Sequence, residues 1–429
     1  MSIWNRIFFF TVIFSILFGC HYLTYKTFKN FLISKFPGNR KLKYIYGYPF
    51  IIFNLPYLYV IYNLLTSTKT PYWIINYGYI PFYIFQGAVL FIGLYLIIGK
   101  LIKAPFTIPY YFLNKIKYFK ERFNSFFAKK SIKKLDSSRR AFIKTSAAFV
   151  SGYAFIGATT GVLSKNDYQI ERVDLSIPGL PEELKGTTIT FISDIHSGPY
   201  MNENLMREYA EVINDLKSDM ILMAGDLTNS QKEEVFPFVH AFKVLKAQHG
   251  IYSSLGNHDY FSDANFISKV VNSESPVKIL RNQSEIISIK GKDICIMGIE
   301  DTRQSGSAPD NILINYLDET IIGTKKLFSD KNLNYDETAK IALFHKPYFF
   351  SELQDRKIDL FLSGHTHGGQ VVLADFGNIN ISFAGAVSDF IKGLYKNPTS
   401  QMYVSRGIGC VALPLRLNCP PEITVFRLV

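Results

Sequence analysis

Hydrophobic positions divide this chain into two unlike parts. Up to about residue 163 they form long uninterrupted runs. Ile7 to Tyr25 is uncharged apart from His21, Tyr44 to Thr68 is uncharged, and Thr70 to Gly99 is uncharged again. Each is long enough to cross a bilayer as a helix. Only Lys69 separates the second run from the third, so the pattern predicts a helical hairpin turning near Ser67–Pro71, with Pro56 and Pro81 kinking its two arms. A fourth run, Thr145 to Leu163, is milder and rich in Ala, Gly, Ser and Thr. From about Asp167 the texture changes to short apolar runs alternating with helical spacing. Strands are expected at Thr187–Ile192, Met220–Ala224, Ile251–Leu255, Ile286–Ile289, Ile294–Gly298, Ile341–Phe344, Leu360–Ser363 and Ile423–Leu428. Helices are expected at Asn204–Leu216 and Val235–Lys246. Alternation of this kind predicts α/β layers. The domain organisation that follows is a membrane anchor of about four helices over 1–163, with a basic cytoplasmic linker at 100–144, and a layered domain over 164–429.

Charge supports the same division. Residues 1–163 hold 21 Lys and Arg against two acids, Glu121 and Asp136, a net of +19; residues 164–429 hold 26 against 33, a net of −7. The basic residues flank apolar runs, which is the signature of membrane topology rather than of a nucleic-acid face. No basic stripe marks the C-terminal part, so no nucleic-acid docking surface is expected; the oligomeric state is left open. Six Lys and Arg lie between Lys26 and Lys43, and thirteen between Lys100 and Lys144. The positive-inside rule puts both segments in the cytoplasm. The C-terminal domain then faces outward, giving a multi-pass cell-membrane protein with an extracytoplasmic catalytic domain. Tyr110–Lys134 interleaves Phe and Tyr with Lys and reads as an interfacial helix or a solvated basic linker. Ser138-Arg139-Arg140-Ala141-Phe142-Ile143-Lys144 resembles a twin-arginine export signal, although it stands far from the N-terminus. The apolar runs contain no charged residue, where a transporter usually shows one, so they read as an anchor.

The candidate chemistry sits where strands stop. Five short apolar runs are followed closely by Asp, His or Asn: Asp194-Ile195-His196, Gly225-Asp226, Gly256-Asn257-His258-Asp259, His345, and Gly364-His365-Thr366-His367-Gly368. Carboxyl ends of strands line the crevice where α/β proteins bind ligands. Five of the eight histidines fall in these motifs, and mixed imidazole and carboxylate suits Mn, Fe, Zn, Co or Ni. In an extended chain, residues two apart point the same way, so each of Asp-Ile-His and His-Thr-His is expected to aim both ligands at one centre. His21, His240 and His249 are assigned to packing or surface. Glu300-Asp301-Thr302-Arg303 reads as a turn, with a supporting contact to a ligand histidine as the alternative. Cys20, Cys295, Cys410 and Cys419 form no C-x-x-C pair, so a zinc finger is not expected. Cys410 and Cys419 either bridge in an oxidising compartment or stand as two thiols.

In this order, D-x-H, G-D, G-N-H-D, H and G-H-x-H resemble the calcineurin-like metallophosphoesterase family over about residues 185–375. The tail, Tyr403 to Gly409 and Asn418 to Glu422, resembles its membrane-associated, twin-arginine-exported branch. The resemblance implies a four-layer αββα sandwich. It implies two divalent metal ions, one held by Asp194, His196 and His367, the other by Asn257, His345 and His365, with Asp226 bridging. It implies His258 beside the phosphate as general acid or electrostatic clamp. Asp259 stands where many relatives carry Glu. Arg406 is a candidate phosphate contact, weighed against a structural arginine. The expected activity is hydrolysis of a phosphodiester or pyrophosphate, including a lipid-linked one, by metal-activated water; a metal-holding sensor of the same fold without turnover is the alternative. The expected partners are the lipid bilayer and the phosphate-ester substrate.

Overall fold

The computed structural model describes residues 3–39, 45–66, 70–303, 311–353, 356–376, 380–386 and 388–429. The chain divides into two compact units, Met1–Val162 and Leu163–Val429.

The N-terminal unit is helical. Ile3–Lys35 is one continuous helix that contains the expected 7–25 run. The expected 44–68 span is broken instead into Tyr48–Ile52 and Leu55–Thr66. Twelve residues of helix rise about 18 Å, short of the ~30 Å hydrocarbon core. Among the described residues, Ile80–Leu113 and Thr145–Leu163 are the two helices long and apolar enough to cross a membrane. Pro81 does not kink a helix; it stands in the first turn of Ile80–Leu113, where its missing N–H removes no hydrogen bond. Pro56 likewise opens Leu55–Thr66. Ile80–Leu113 runs on through Lys100 and Lys103, beyond the predicted end at Gly99. The basic segment after it is helical too, at Lys117–Ala128 and in the helix Lys130–Leu163 that carries Arg139 and Arg140. The turn predicted near Ser67–Pro71 lies partly outside the described residues. Polar groups inside this unit find one another: His21 Nε2 lies 2.9 Å from Gln86 Oε1, and Gln86 Nε2 donates to Asn54 Oδ1 at 2.8 Å. Such pairing is what buried polar side chains between apolar helices require.

The C-terminal unit is built on two six-stranded sheets. The strands are β1 (Gln169–Leu175), β2 (Thr188–Ile192), β3 (Met220–Ala224), β4 (Ile251–Ser254), β5 (Val277–Ile279), β6 (Gln283–Ile289), β7 (Lys292–Gly298), β8 (Ala339–Leu343), β9 (Leu360–Ser363), β10 (Ala374–Asp375), β11 (Asn380–Ile381), β12 (Gly393–Lys396), β13 (Gln401–Val404) and β14 (Glu422–Leu428). One sheet has the order β1-β14-β2-β3-β4-β5, the other β12-β13-β9-β8-β7-β6, and β10-β11 form a separate small hairpin. Strands β2, β3 and β4 are mutually parallel neighbours, as are β7, β8 and β9. Phe191, Leu222 and Phe426 from the first sheet meet Ile296, Ile341, Leu362 and Tyr403 from the second in the central core. The outer face of the first sheet is covered by Glu203–Asp215, Val235–Phe242 and Ala264–Glu274, through Met206, Phe238, Phe242 and Ile267. The outer face of the second is covered by Asn311–Asp330, through Leu313, Leu317 and Phe328. The result is the four-layer αββα sandwich. Each strand buried on both faces reads as a continuous apolar run, which is why β3 and β9 match their predicted bounds. Strands β1, β5, β10, β11, β12 and β13 are additional to the expected set. Val235–Phe242 ends four residues early, because the chain turns there to enter β4 through Gly250 (φ +97°).

Candidate metal centre

The five motifs converge at adjacent strand ends. Asp194 and His196 follow β2, Asp226 follows β3, and Asn257 and His258 follow β4. His345 follows β8, and His365 and His367 follow β9. Three neighbouring strands of one sheet thus face two neighbouring strands of the other. Potential ligand atoms of Asp194, His196 and His367 lie within 4.8 Å of one another, as do those of Asp226, His345 and His365. A third set, His196, Asp226 and His258, links the first two. Asp226 Oδ2 is 3.3 Å from His345 Nε2 and 3.6 Å from His196 Nε2. His196 Nε2 and His367 Nε2 stand 3.0 Å apart, and His367 Nε2 is 3.5 Å from Asp194 Oδ1.

The pairs are not presented by extended backbone, which corrects the reason expected for their spacing. Asp194, His196, Asp226, His365 and His367 all have positive φ, between 50° and 71°. A non-glycine residue in this left-handed region costs about 1 kcal/mol or more. Five such residues at one site are sustained only because the surrounding loops over-determine them. Asp194 N donates to Gly225 O, His196 N to Asp226 O, and His365 N to Asp194 Oδ1 at 2.8 Å. Two glycines are needed for close approach: a Cβ on Gly256 would run into Asp226, and one on Gly364 into Asp194 and Ser193.

Supporting contacts orient the ligands. His345 Nδ1 donates to Ala224 O at 2.6 Å, which turns Nε2 inward toward Asp226. Ser193 Oγ donates to Asp194 Oδ2 at 2.5 Å. His258 Nδ1 is hydrogen-bonded to the Asn229 carbonyl, and the His258 N–H donates to Asp226 Oδ1 at 2.8 Å. Asp259 is fully buried and accepts four hydrogen bonds, from Gly256 N, Leu227 N, Thr228 N and Thr228 Oγ1. It therefore fastens the Asp226 loop to the Asn257 turn. Asp301, expected in a plain turn, is buried and paired with Lys346 Nζ at 2.6 Å, beside His345. Arg416, not singled out from the sequence, is buried and donates to the carbonyls of Arg406, Gly407, Gly409 and Cys419. Cys410 and Cys419 are unbridged; the Cys419 thiol donates to His367 O. Arg406 is a structural arginine. Its guanidinium is paired with Glu171 at 2.7 Å and Glu422 at 2.7 Å, which is the structural alternative weighed for this residue.

Electrostatics describe a site short of positive charge. Burial, with little relief from Asp226, pulls the His196 imidazole down to about 3. Burial also holds His365 and His367 well below the usual histidine range. Burial pushes Asp194 up to about 6, aided by Asp226, and does the same to Asp259. His345 is the exception: burial works against its proton, but Asp226, Asp194 and Asp301 together bring it up to about 10. The donor set fits divalent cations. Asn257 Oδ1 and His345 Nε2 are buried and make no hydrogen bond, and neither do His196 Nδ1 and His367 Nδ1. Buried polar atoms left without partners are costly, and cations held among these residues would remove that cost for Asn257 Oδ1 and His345 Nε2.

Residues 187–369 match the sequence model of the calcineurin-like phosphoesterase family. An uncharacterized metallophosphoesterase of Helicobacter pylori is 29% identical over 313 residues, covering 70% of this chain and 75% of its own length. Another, from Bacillus subtilis, is 29% identical over 300 residues, covering 68% of this chain and 97% of its own. A transmembrane protein with metallophosphoesterase domain from Danio rerio is 29% identical over 260 residues, covering 59% and 56%. Among solved structures, a dimetal phosphatase from Danio rerio aligns at TM-score 0.31 and 9% identity, over 52% of this chain and 88% of its own.

Proposed function

We propose, from the premise that residues 187–369 form a calcineurin-like phosphoesterase domain, that this chain hydrolyses a phosphodiester or pyrophosphate at a two-metal centre. The observation that carries the reading is the two donor clusters, Asp194–His196–His367 and Asp226–His345–His365, linked by the set His196–Asp226–His258, together with Asn257 Oδ1 and His345 Nε2, which are buried and make no hydrogen bond. Asp194, His196 and His367 would hold one ion, Asn257, His345 and His365 the other, and Asp226 would bridge them. Such a pair, when bound, supplies a water of lowered pKa and neutralises charge on the phosphoryl oxygens.

The chain's own residues do the rest. Ala224 O fixes the His345 tautomer, and the bond from His365 N to Asp194 holds the two halves of the site in register. His258 turns Nδ1 to the Asn229 carbonyl, so Nε2 is the ring nitrogen left to meet the leaving oxygen, to which it can give a proton when the ring carries two. Burial of the ligand side chains keeps bulk water from competing for the donors. The two apolar helices and the transmembrane relatives support a lipid-linked ester as the substrate. The test is hydrolysis of a generic aryl phosphodiester by the full chain with added Mn, compared with Asp226→Asn and His258→Ala. The reading expects a loss of about 100-fold or more for each; equal rates for all three proteins would reject it.

A further inference from the structure

Of the six large apolar side chains more than 40% exposed among the described residues of 164–429, four lie within eleven residues of one another: Leu373 (44%), Phe376 (73%), Ile381 (46%) and Phe383 (68%). The other two, Ile312 and Ile322, belong to the helix Asn311–Asp330. The four occupy the β10–β11 hairpin and its flanks, where Leu373 N donates to Ile381 O. This hairpin leaves the metal-ligand loop directly. Gly369, two residues after His367, packs so closely under the hairpin that a Cβ there would strike Ser382. The stretch Val371–Ser388 contains one ionisable residue, Asp375, and its carboxylate is neutralised by Lys392 Nζ at 2.5 Å. An apolar patch with its single charge compensated is unfavourable in water and favourable at a hydrocarbon boundary. Thr145–Leu163 is long and apolar enough to cross a membrane, and residues 164–168 are all that separate its end from β1.

We propose that the hairpin bearing Leu373, Phe376, Ile381 and Phe383 docks on the lipid bilayer and presents the metal centre to phosphate esters displayed at the bilayer surface. The second clause rests on the phosphoesterase reading; the docking itself does not. The hairpin selects the substrate by where it lies: an ester whose hydrocarbon part stays in the bilayer reaches the site, and a freely soluble one gains nothing from the hairpin.

The experiment uses the full chain in phosphatidylcholine–phosphatidylglycerol nanodiscs. All four native cysteines are buried, so a thiol-reactive environment-sensitive fluorophore reports a Phe383→Cys variant selectively. Nitroxide-bearing lipids should quench this probe strongly and a probe at Ile322→Cys (69% exposed) weakly. Equal quenching at the two positions overturns the proposal. So does a Phe383 probe shielded from water yet not quenched by the lipid nitroxide, which would mean that protein covers the hairpin. In a second arm, the double variant Phe376→Ser/Phe383→Ser should lower the ratio of rates on a vesicle-borne and a soluble phosphodiester by about tenfold. An unchanged ratio, with metal content intact, overturns the link to substrate. If no ester is hydrolysed at all, the phosphoesterase reading fails while the quenching result still decides the docking.

Discussion

Replacing Asp259 by Asn removes one carboxylate oxygen from a buried junction. Oδ2 accepts from Gly256 N at 2.9 Å and Leu227 N at 3.2 Å; Oδ1 accepts from Thr228 N at 2.9 Å and Thr228 Oγ1 at 3.1 Å. An amide keeps one acceptor and turns its NH2 toward two backbone N–H groups. Each stranded buried donor costs about 1–3 kcal/mol, so the exchange costs about 2–6 kcal/mol. For a unit of this size that lowers the unfolding midpoint by roughly 4–20 °C. The damage should concentrate at the metal centre, because the loop it loosens carries Asp226, and Asn229 of the same loop orients His258. Thermal unfolding of the full chain in detergent, paired with elemental analysis, gives both readouts. The expected result is a lower midpoint together with loss of metal and of hydrolysis. An unchanged midpoint with full metal would refute the reasoning that Asp259 ties the two loops.

Three further outcomes follow from the same geometry. With His345 brought up to about 10, the metal-free site holds a proton at pH 7 that a cation must displace. That proton's stabilisation of the metal-free fold is complete below about pH 6.5 and lost as pH rises through 10. For His196, lowered to about 3, the contribution is present above pH 6.5 and lost as pH falls toward 3. Calorimetry of metal binding at pH 7 in buffers of different ionisation enthalpy should show about one proton released, with affinity rising about tenfold per unit toward pH 9; buffer-independent heats would contradict this. Gly364→Ala drives a methyl into Asp194 and Ser193; elemental analysis should find metal lost, whereas Gly323→Ala, in open space on the helix Asn311–Asp330, should keep it. A phosphatase-type reporter fused after Leu163 should be active if the charge asymmetry of residues 26–43 and 100–144 orients the chain as expected, and silent if it does not.

The metal-binding motifs were legible because each ligand group follows an apolar run closely. Strands buried on both faces announce themselves by composition, so β3 and β9 and the polar residues after them were placed by pattern alone. The backbone conformation was not legible. Asp194, His196 and His367 look like alternating strand positions, yet all three adopt left-handed φ, a conformation enforced by loops from other strands. The supporting contacts were also hidden. Nothing local distinguishes Asp259 or Asp301 from a surface carboxylate, and burial came only when β4 and β7 were packed against their neighbours. The partners of Arg406 were hidden for the same reason, since Glu171 and Glu422 lie in β1 and β14, at opposite ends of the domain sequence. Strand β1 alternates polar and apolar residues too weakly to stand out, and only its pairing with β14 defines it. The first arm of the expected hairpin breaks at Phe53–Asn54, where uncharged sequence says nothing about where a helix stops.

Elemental analysis of the purified full chain, with and without Asp226→Asn, bears most directly on the two-metal centre. Two divalent ions per wild-type chain, falling to one or none in the variant, is the predicted result. A wild-type protein that binds no stoichiometric metal after exposure to Mn, Fe, Zn, Co and Ni, or a variant that keeps both ions, would contradict it.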